Sequence, residues 1–337
     1  MKKIVLYILR ALGVFYMCRR FIGNKTLILA YHGFEINDES QFEDQLFIKE
    51  DTLKLRLDYL KKHCNIIPLS DLAAHNPHKN KVVITVDDGW YSTLSLAAPI
   101  FKDYQIPYTV YLTTENVLDN QPIFHVALSY ILFRNIGKQL NYKHSSGFKL
   151  VERISHDNLQ QIVDSVSPIK AQKNDTALLK AIAKSLDFDF DPTIANKALT
   201  LVSAKQAKSL HDMGADIQLH THTHNTPLEN VAEFDQEIEV NREHITDIIG
   251  IKPEHHCYPS SVYDADSIEH LRRLQVKTAT TCYPGLVDQN TELLEAPRFL
   301  DSERISQIVF EAEVSGVSEL LRNILKGKQK PLSLAAN

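Results

Sequence analysis

Cysteine is scarce in this chain: Cys18, Cys64, Cys257 and Cys282 stand far apart, with no close pair among them. That spacing excludes a disulfide framework and a finger-type structural zinc site, and it leaves the four to be read as core thiols in a reducing compartment. Glycine is scarce too, 11 in 337 residues, and no glycine-rich loop follows a strand, which excludes a nucleotide phosphate cradle. A net charge of −5 is mild for this length, so nucleic acid held by a broad basic face is not an expected partner. What remains is the composition of an ordinary globular chain, 44% hydrophobic and 23% charged, long enough to bury a sizeable core.

Acid is absent from the first 34 residues, whereas Lys2, Lys3, Arg10, Arg19, Arg20 and Lys25 are basic. The apolar segment from Ile4 to Cys18 is interrupted by Arg10, is too short for a comfortable membrane span and lacks a small-residue cleavage site. The pattern predicts a basic amphipathic helix over residues 1–25, in peripheral contact with an anionic membrane surface on its cytoplasmic side. The alternatives are a plain first helix packed on the domain, or a signal or anchor that exports the chain. Residues 311–337 read as a C-terminal helix and a tail, the basic stretch LLRNILKGKQKPLSLAAN, that frays.

From Leu27 onward, strand-like runs alternate with helical ones. LILAY ends in His32, KVVITV ends in Asp87 and Asp88, and IPYTVYLTT forms a βαβ unit with the run before it. Residues 120–200 break the pattern: FHVALSYILFRNIGKQL reads as a helix, NYKHSSGFKLVE as a small hairpin, and three helical stretches follow. With no independent β pattern, this is an insertion or cap on one sheet domain spanning 26–310. Alternation resumes with a strand ending in His220, and the runs HHCYPSS, VKTATTCYPG and EAPRFL supply the last strands. At least seven strand-like runs, mostly separated by helices, indicate an α/β fold of the distorted parallel (β/α)7 barrel type with a helical insertion.

Strand ends are where such folds keep their chemistry. Asp87 and Asp88 are adjacent like charges, and a metal on one with the other free to move protons offsets their repulsion; the bland alternative is a capping Asp and an Asp-Gly turn. His220 and His224 follow a strand, spaced so that a turn brings both imidazoles to one point, while His222 points away. A carboxylate with two imidazoles leaves positions open on Zn²⁺, or on Fe²⁺, Co²⁺ or Mn²⁺.

These residues resemble the motifs of the polysaccharide deacetylase family, carbohydrate esterase family four. TVDDG at Thr85–Gly89 matches the first motif and HTHTH at His220–His224 the second; LILAYHGF and NIIPLSDL are typical of the exopolysaccharide and capsule branch. The resemblance implies a metal-dependent N-deacetylase acting on an N-acetylated glycan, either a polysaccharide or a lipid-linked precursor. Asp87 is then the general base, and Asp88, His220 and His224 hold a divalent metal, Zn²⁺ first. The third motif departs from the family: Cys257, Tyr258, Pro259 and Ser260 lack its arginine and retain the proline turn and the Ser260 N–H, an oxyanion donor. Arg298 is the candidate replacement for that arginine, because a guanidinium fork suits a carboxylate. The family's late catalytic histidine is missing too, since none follows His270, and His32 is the candidate acid because a barrel sets its first and last strands side by side. The competing reading is a catalytically silent glycan-binding member of the same fold, or a different metal-dependent amide or ester hydrolase.

Overall fold

The computed structural model describes residues 2–72, 80–115, 117, 122–169, 175–190 and 197–326. Two short helices, Lys2–Ala11 (α1) and Val14–Ile22 (α2), precede the barrel. Its seven principal strands are Thr26–Tyr31 (β1), Lys81–Val86 (β2), Tyr108–Leu112 (β3), Ala215–Leu219 (β6), His255–Cys257 (β7), Thr278–Thr280 (β8) and Phe299–Leu300 (β9). Gln139–Lys143 (β4) and Lys149–Arg153 (β5) form a separate antiparallel hairpin.

All seven are parallel, in the order β8, β7, β6, β3, β2, β1, β9, and Asn65–Ile66 pairs with β2. The first and last strands lie side by side, Leu29 opposite Phe299. The segment entering β9 also meets the far edge: the Thr281 and Ala296 N–H groups donate to Ala296 O and Ala279 O, each at 2.9 Å. The sheet is thereby curled into a nearly closed barrel.

Period-two alternation explains the layers. Ile28, Val83, Tyr111 and Cys257 point inward and fill the barrel with Ala296 and Val287. Their neighbours Leu29, Ile84, Val110 and Ile217 point outward and pack under helices through Leu53, Leu57, Ile238, Leu271 and Phe310. Arg56, buried in helix Glu50–His63, donates from Nε to Asp301 at 3.0 Å and so ties that helix to the end of β9.

The inserted stretch has an apolar core of its own, built on Phe124, Leu128, Ile131, Leu140, Ile162, Leu179 and Leu199, and Trp90 and Phe47 from the barrel's loops join it. Its helix ends at Phe133, and Gln139 and Leu140 already belong to the hairpin, so FHVALSYILFRNIGKQL is a helix only over its first ten residues. The single N-terminal helix expected from the sequence is two helices, because Gly13 turns the chain at φ +76°. Of the four cysteines, all free thiols, Cys257 is fully buried, Cys18 and Cys64 are half-buried and pack at the edges of apolar clusters, and Cys282 is half-buried. The tail expected to fray, residues 73–79 and parts of the insertion lie outside the described residues.

Candidate active site

The inward register that fills the barrel also delivers the site. Beyond Val83 and Thr85 on β2 comes Asp87, and beyond Ile28 on β1 comes His32. Since Tyr31 pairs with Val86, the two side chains emerge opposite each other, with His32 Nε2 at 3.7 Å from Asp87 Oδ2. On β6, where Ile217 and Leu219 face outward, His220 faces in. Gly89 follows the acids at φ +87°, and a Cβ there would overlap Leu112 Cδ1, so only glycine lets this loop turn so close to β3.

Arg298 is 0% exposed and uses its whole fork. Nη1 and Nη2 donate to Asp87 Oδ1 and Oδ2, both at 2.7 Å. Nη1 also reaches Thr85 Oγ1 at 3.1 Å, Nε reaches Thr281 O at 3.0 Å, and Nη2 reaches Cys257 Sγ at 2.9 Å. The guanidinium lies over the Tyr111 ring, 5.5 Å from its centroid. A buried charge is tolerable only when paired and fully hydrogen-bonded, and this one is. Cys257 is small, which leaves the barrel interior room for an arginine arriving from β9. Burial pushes the Asp87 carboxyl pKa up, but the Arg298 guanidinium outweighs it and holds the carboxyl below the usual carboxylate range. Burial raises the Cys257 thiol pKa.

Asp88 turns away at φ +68° and meets the second histidine group: its Oδ1 lies 3.2 Å from His220 Nε2 and 3.3 Å from His224 Nε2. Two neighbours fix the geometry. The Trp90 indole N–H donates to Asp88 Oδ2 at 3.0 Å, and His220 Nδ1 lies 2.8 Å from Cys257 O. A carbonyl only accepts, so Nδ1 carries the proton and Nε2 is turned to Asp88. Oδ1 is buried and has no conventional hydrogen-bond donor. A carboxylate oxygen and two imidazole nitrogens converging on one point, within 4.8 Å of one another, are a donor set that a divalent cation fits. Although burial opposes it, contact with His220 and His224 holds the Asp88 carboxyl well below its usual range. His220 is shifted well above its usual value, against its burial, by Cys257 and Asp88.

The loops that carry these groups are unusual in backbone. Asp88, Thr221, His224 and Ser260 are all left-handed, with φ between +53° and +68°. Such conformations in residues other than glycine gather at functional loops. Of the residues singled out in the sequence, Asp87, His32 and Arg298 form one cluster and Asp88, His220 and His224 the adjoining one. Ser260 is exposed in the turn Pro259–Ser261 at the same barrel end, with no hydrogen bond to either cluster among the described residues. His222 turns away, its Nδ1 2.9 Å from Thr114 Oγ1 and its ring stacked on His244.

Several contributors escaped sequence reasoning. Trp90 stands directly after the DDG turn, yet its role depends on a two-residue reach back to Asp88. Asn241, buried on helix Val231–Ile249, accepts from the His220 N–H at 3.0 Å and donates to Leu112 O at 2.9 Å; a polar residue at the helical spacing of Phe234, Ile238 and Ile245 was its only signal. Glu237 on the same helix accepts from the Thr223 N–H at 2.7 Å and so braces the histidine loop.

Fold and site together define a parallel α/β barrel with a carboxylate–imidazole centre at the carboxyl ends of its strands. A sequence model described as polysaccharide deacetylase matches residues 74–279, and the chain belongs to that family. No curated protein matches the chain. Among solved structures, a Streptococcus pyogenes deacetylase in complex with acetate superposes with a TM-score of 0.56 at 15% identity, over 87% of this chain and 99% of that one. A de-N-acetylase from Aggregatibacter actinomycetemcomitans gives 0.52 at 14%, over 86% and 100%. IcaB from Ammonifex degensii gives 0.51 at 16%, over 87% and 98%. At these identities the likeness is one of fold.

Proposed function

We propose that this chain removes the N-acetyl group from an N-acetylated amino sugar of a glycan by hydrolysis, with a divalent cation, Zn²⁺ before Fe²⁺, Co²⁺ or Mn²⁺, held by Asp88, His220 and His224. The observation that carries this reading is the bidentate Arg298–Asp87 pair beside a buried Asp88 oxygen that lacks a donor but faces two imidazoles. A cation in that pocket supplies Lewis acidity toward the amide.

The chain's own residues do the rest. Asp87, kept ionised and fixed by Arg298, takes a proton from the attacking water as its oxygen bonds to the amide carbon. His32, on the neighbouring strand, gives a proton to the departing nitrogen as the carbon–nitrogen bond breaks, so the products are acetate and a free amine. The Ser260 backbone N–H, exposed in its turn at the same barrel end, serves as a donor to the oxyanion once substrate is seated.

Acetate release from N-acetylglucosamine oligomers tests this, measured after chelation and after re-addition of each of the four metals. Turnover that disappears on chelation, returns with metal and drops about 10²–10⁴-fold in His32→Ala is expected. A chain that binds one metal per molecule and these oligomers, yet releases no acetate with any metal, is instead the silent glycan binder.

A further inference from the structure

We infer that α1, α2 and the final helix, Val317–Lys326, form a platform that lies on an anionic lipid surface. The inner sides of these helices are satisfied: Leu6 and Phe15 pack on Ile308, Ala312 and Val317. The outer sides are not. Ten of the seventeen exposed large apolar side chains among the described residues sit on these three helices: Ile4, Val5, Tyr7, Ile8, Leu12, Tyr16, Met17 and Phe21 on and between the first two, and Leu320 and Ile324 on the last. Phe21 is 80% exposed and Leu12 71%. Scattered exposed apolar residues need no explanation, but a concentration on one small sub-bundle marks an interaction surface.

Charge decides what covers it. Lys3 and Arg20 are exposed on the same two helices, and Arg10 is half-exposed beside Glu311. No acid occurs before Glu35 and none after Glu319, where Arg322, Lys326, Lys328 and Lys330 follow. Nothing in either terminal stretch repels an anionic headgroup. A second copy of the chain is the poorer occupant, because a two-fold contact would set the basic residues of α1 and α2, helices that contain no acid, against themselves. At ten and nine residues the first two helices are far too short to span a bilayer, and no described helix is long and apolar enough to cross one. Short helices with aromatic and aliphatic side chains outward and basic residues beside them lie in the plane of the interface instead.

The test is co-sedimentation of the full chain with phosphatidylcholine vesicles containing 30% phosphatidylglycerol, beside pure phosphatidylcholine vesicles. Binding to the anionic vesicles that weakens with salt is expected. Combined Ile8→Ser, Leu12→Ser and Phe21→Ser should weaken it at least tenfold, and Lys3→Glu with Arg20→Glu by roughly fivefold or more per charge. All five positions are exposed, so the thermal midpoint of both variants should stay that of the wild type. No binding to anionic vesicles overturns the inference, as does equal binding to neutral ones. So does a solution dimer that the triple serine variant dissociates while vesicle binding is absent.

Discussion

Replacing Arg298 by Met keeps an apolar stem and removes the charged fork, and the surroundings of Asp87 set the cost. Asp87 is 2% exposed and takes both of its strong hydrogen bonds from the fork. Without the fork the buried carboxylate keeps only the long contacts to His32 and Cys257, at 3.7 and 3.8 Å, so it takes up a proton and its pKa in the fold rises. Against an unfolded value of about 3.9, keeping it protonated costs up to about 4 kcal/mol at pH 7 and about 1.5 kcal/mol at pH 5. A raised folded pKa is stability lost as pH increases, whereas the wild type's depressed Asp87 pKa is stability lost as pH falls, so the two proteins diverge upward in pH. Asp87→Asn behaves differently. It strands Arg298, which cannot shed its proton, and costs about 3–5 kcal/mol with little change between pH 5 and 7. Urea unfolding of the chelated proteins at pH 5, 6 and 7 measures both variants. Destabilisation of Arg298→Met that does not grow with pH would refute the claim that Arg298 keeps Asp87 charged. Its turnover at pH 7 should also fall by about 10²–10⁴-fold, because the base begins protonated.

Trp90→Phe retains most of the packing in the insertion's core and deletes the indole donor to Asp88. Metal affinity is expected to drop about 10–100-fold by competition with a chromophoric chelator, with the melting midpoint nearly unchanged; unchanged affinity would show that the N–H does not orient Asp88. We propose that Tyr283, 51% exposed and next to Cys282, whose sulfur faces Arg298, stacks on a sugar ring. Tyr283→Ala should raise KM about 2–10-fold with kcat held, since such contacts are worth roughly 0.5–1.5 kcal/mol; a fall in kcat alone would contradict that placement.

The barrel was legible because its code is local. Apolar strand runs, each closing in a polar residue and separated by helical periodicity, identify a parallel α/β sheet without long-range information. The same alternation sets Asp87 and His220 facing inward. What the sequence could not express is reach across the barrel. Arg298 lies 211 positions from Asp87, and the pairing depends on Cys257 being small enough to leave space for it. Trp90 and Asn241 were hard to see for a related reason: each braces a site residue, Asp88 or His220, through a hydrogen bond whose partner is chosen by the folded geometry. The insertion's helix was overextended at the level of sequence because the apolar spacing continues through Ile136 and Leu140, although the chain has already turned into β4. In α1 and α2 the periodicity gave the helical character correctly, and Gly13 supplied the break.

The central claim is a division of labour between two adjacent carboxylates, Asp87 moving the proton and Asp88 holding the cation. Metal content and acetate release, measured side by side on Asp87→Asn and Asp88→Asn, test it most directly. Asp87→Asn should retain one metal per chain and lose at least about 10²-fold in turnover, while Asp88→Asn should lose both. Metal lost from Asp87→Asn, or turnover kept by Asp88→Asn, would contradict it.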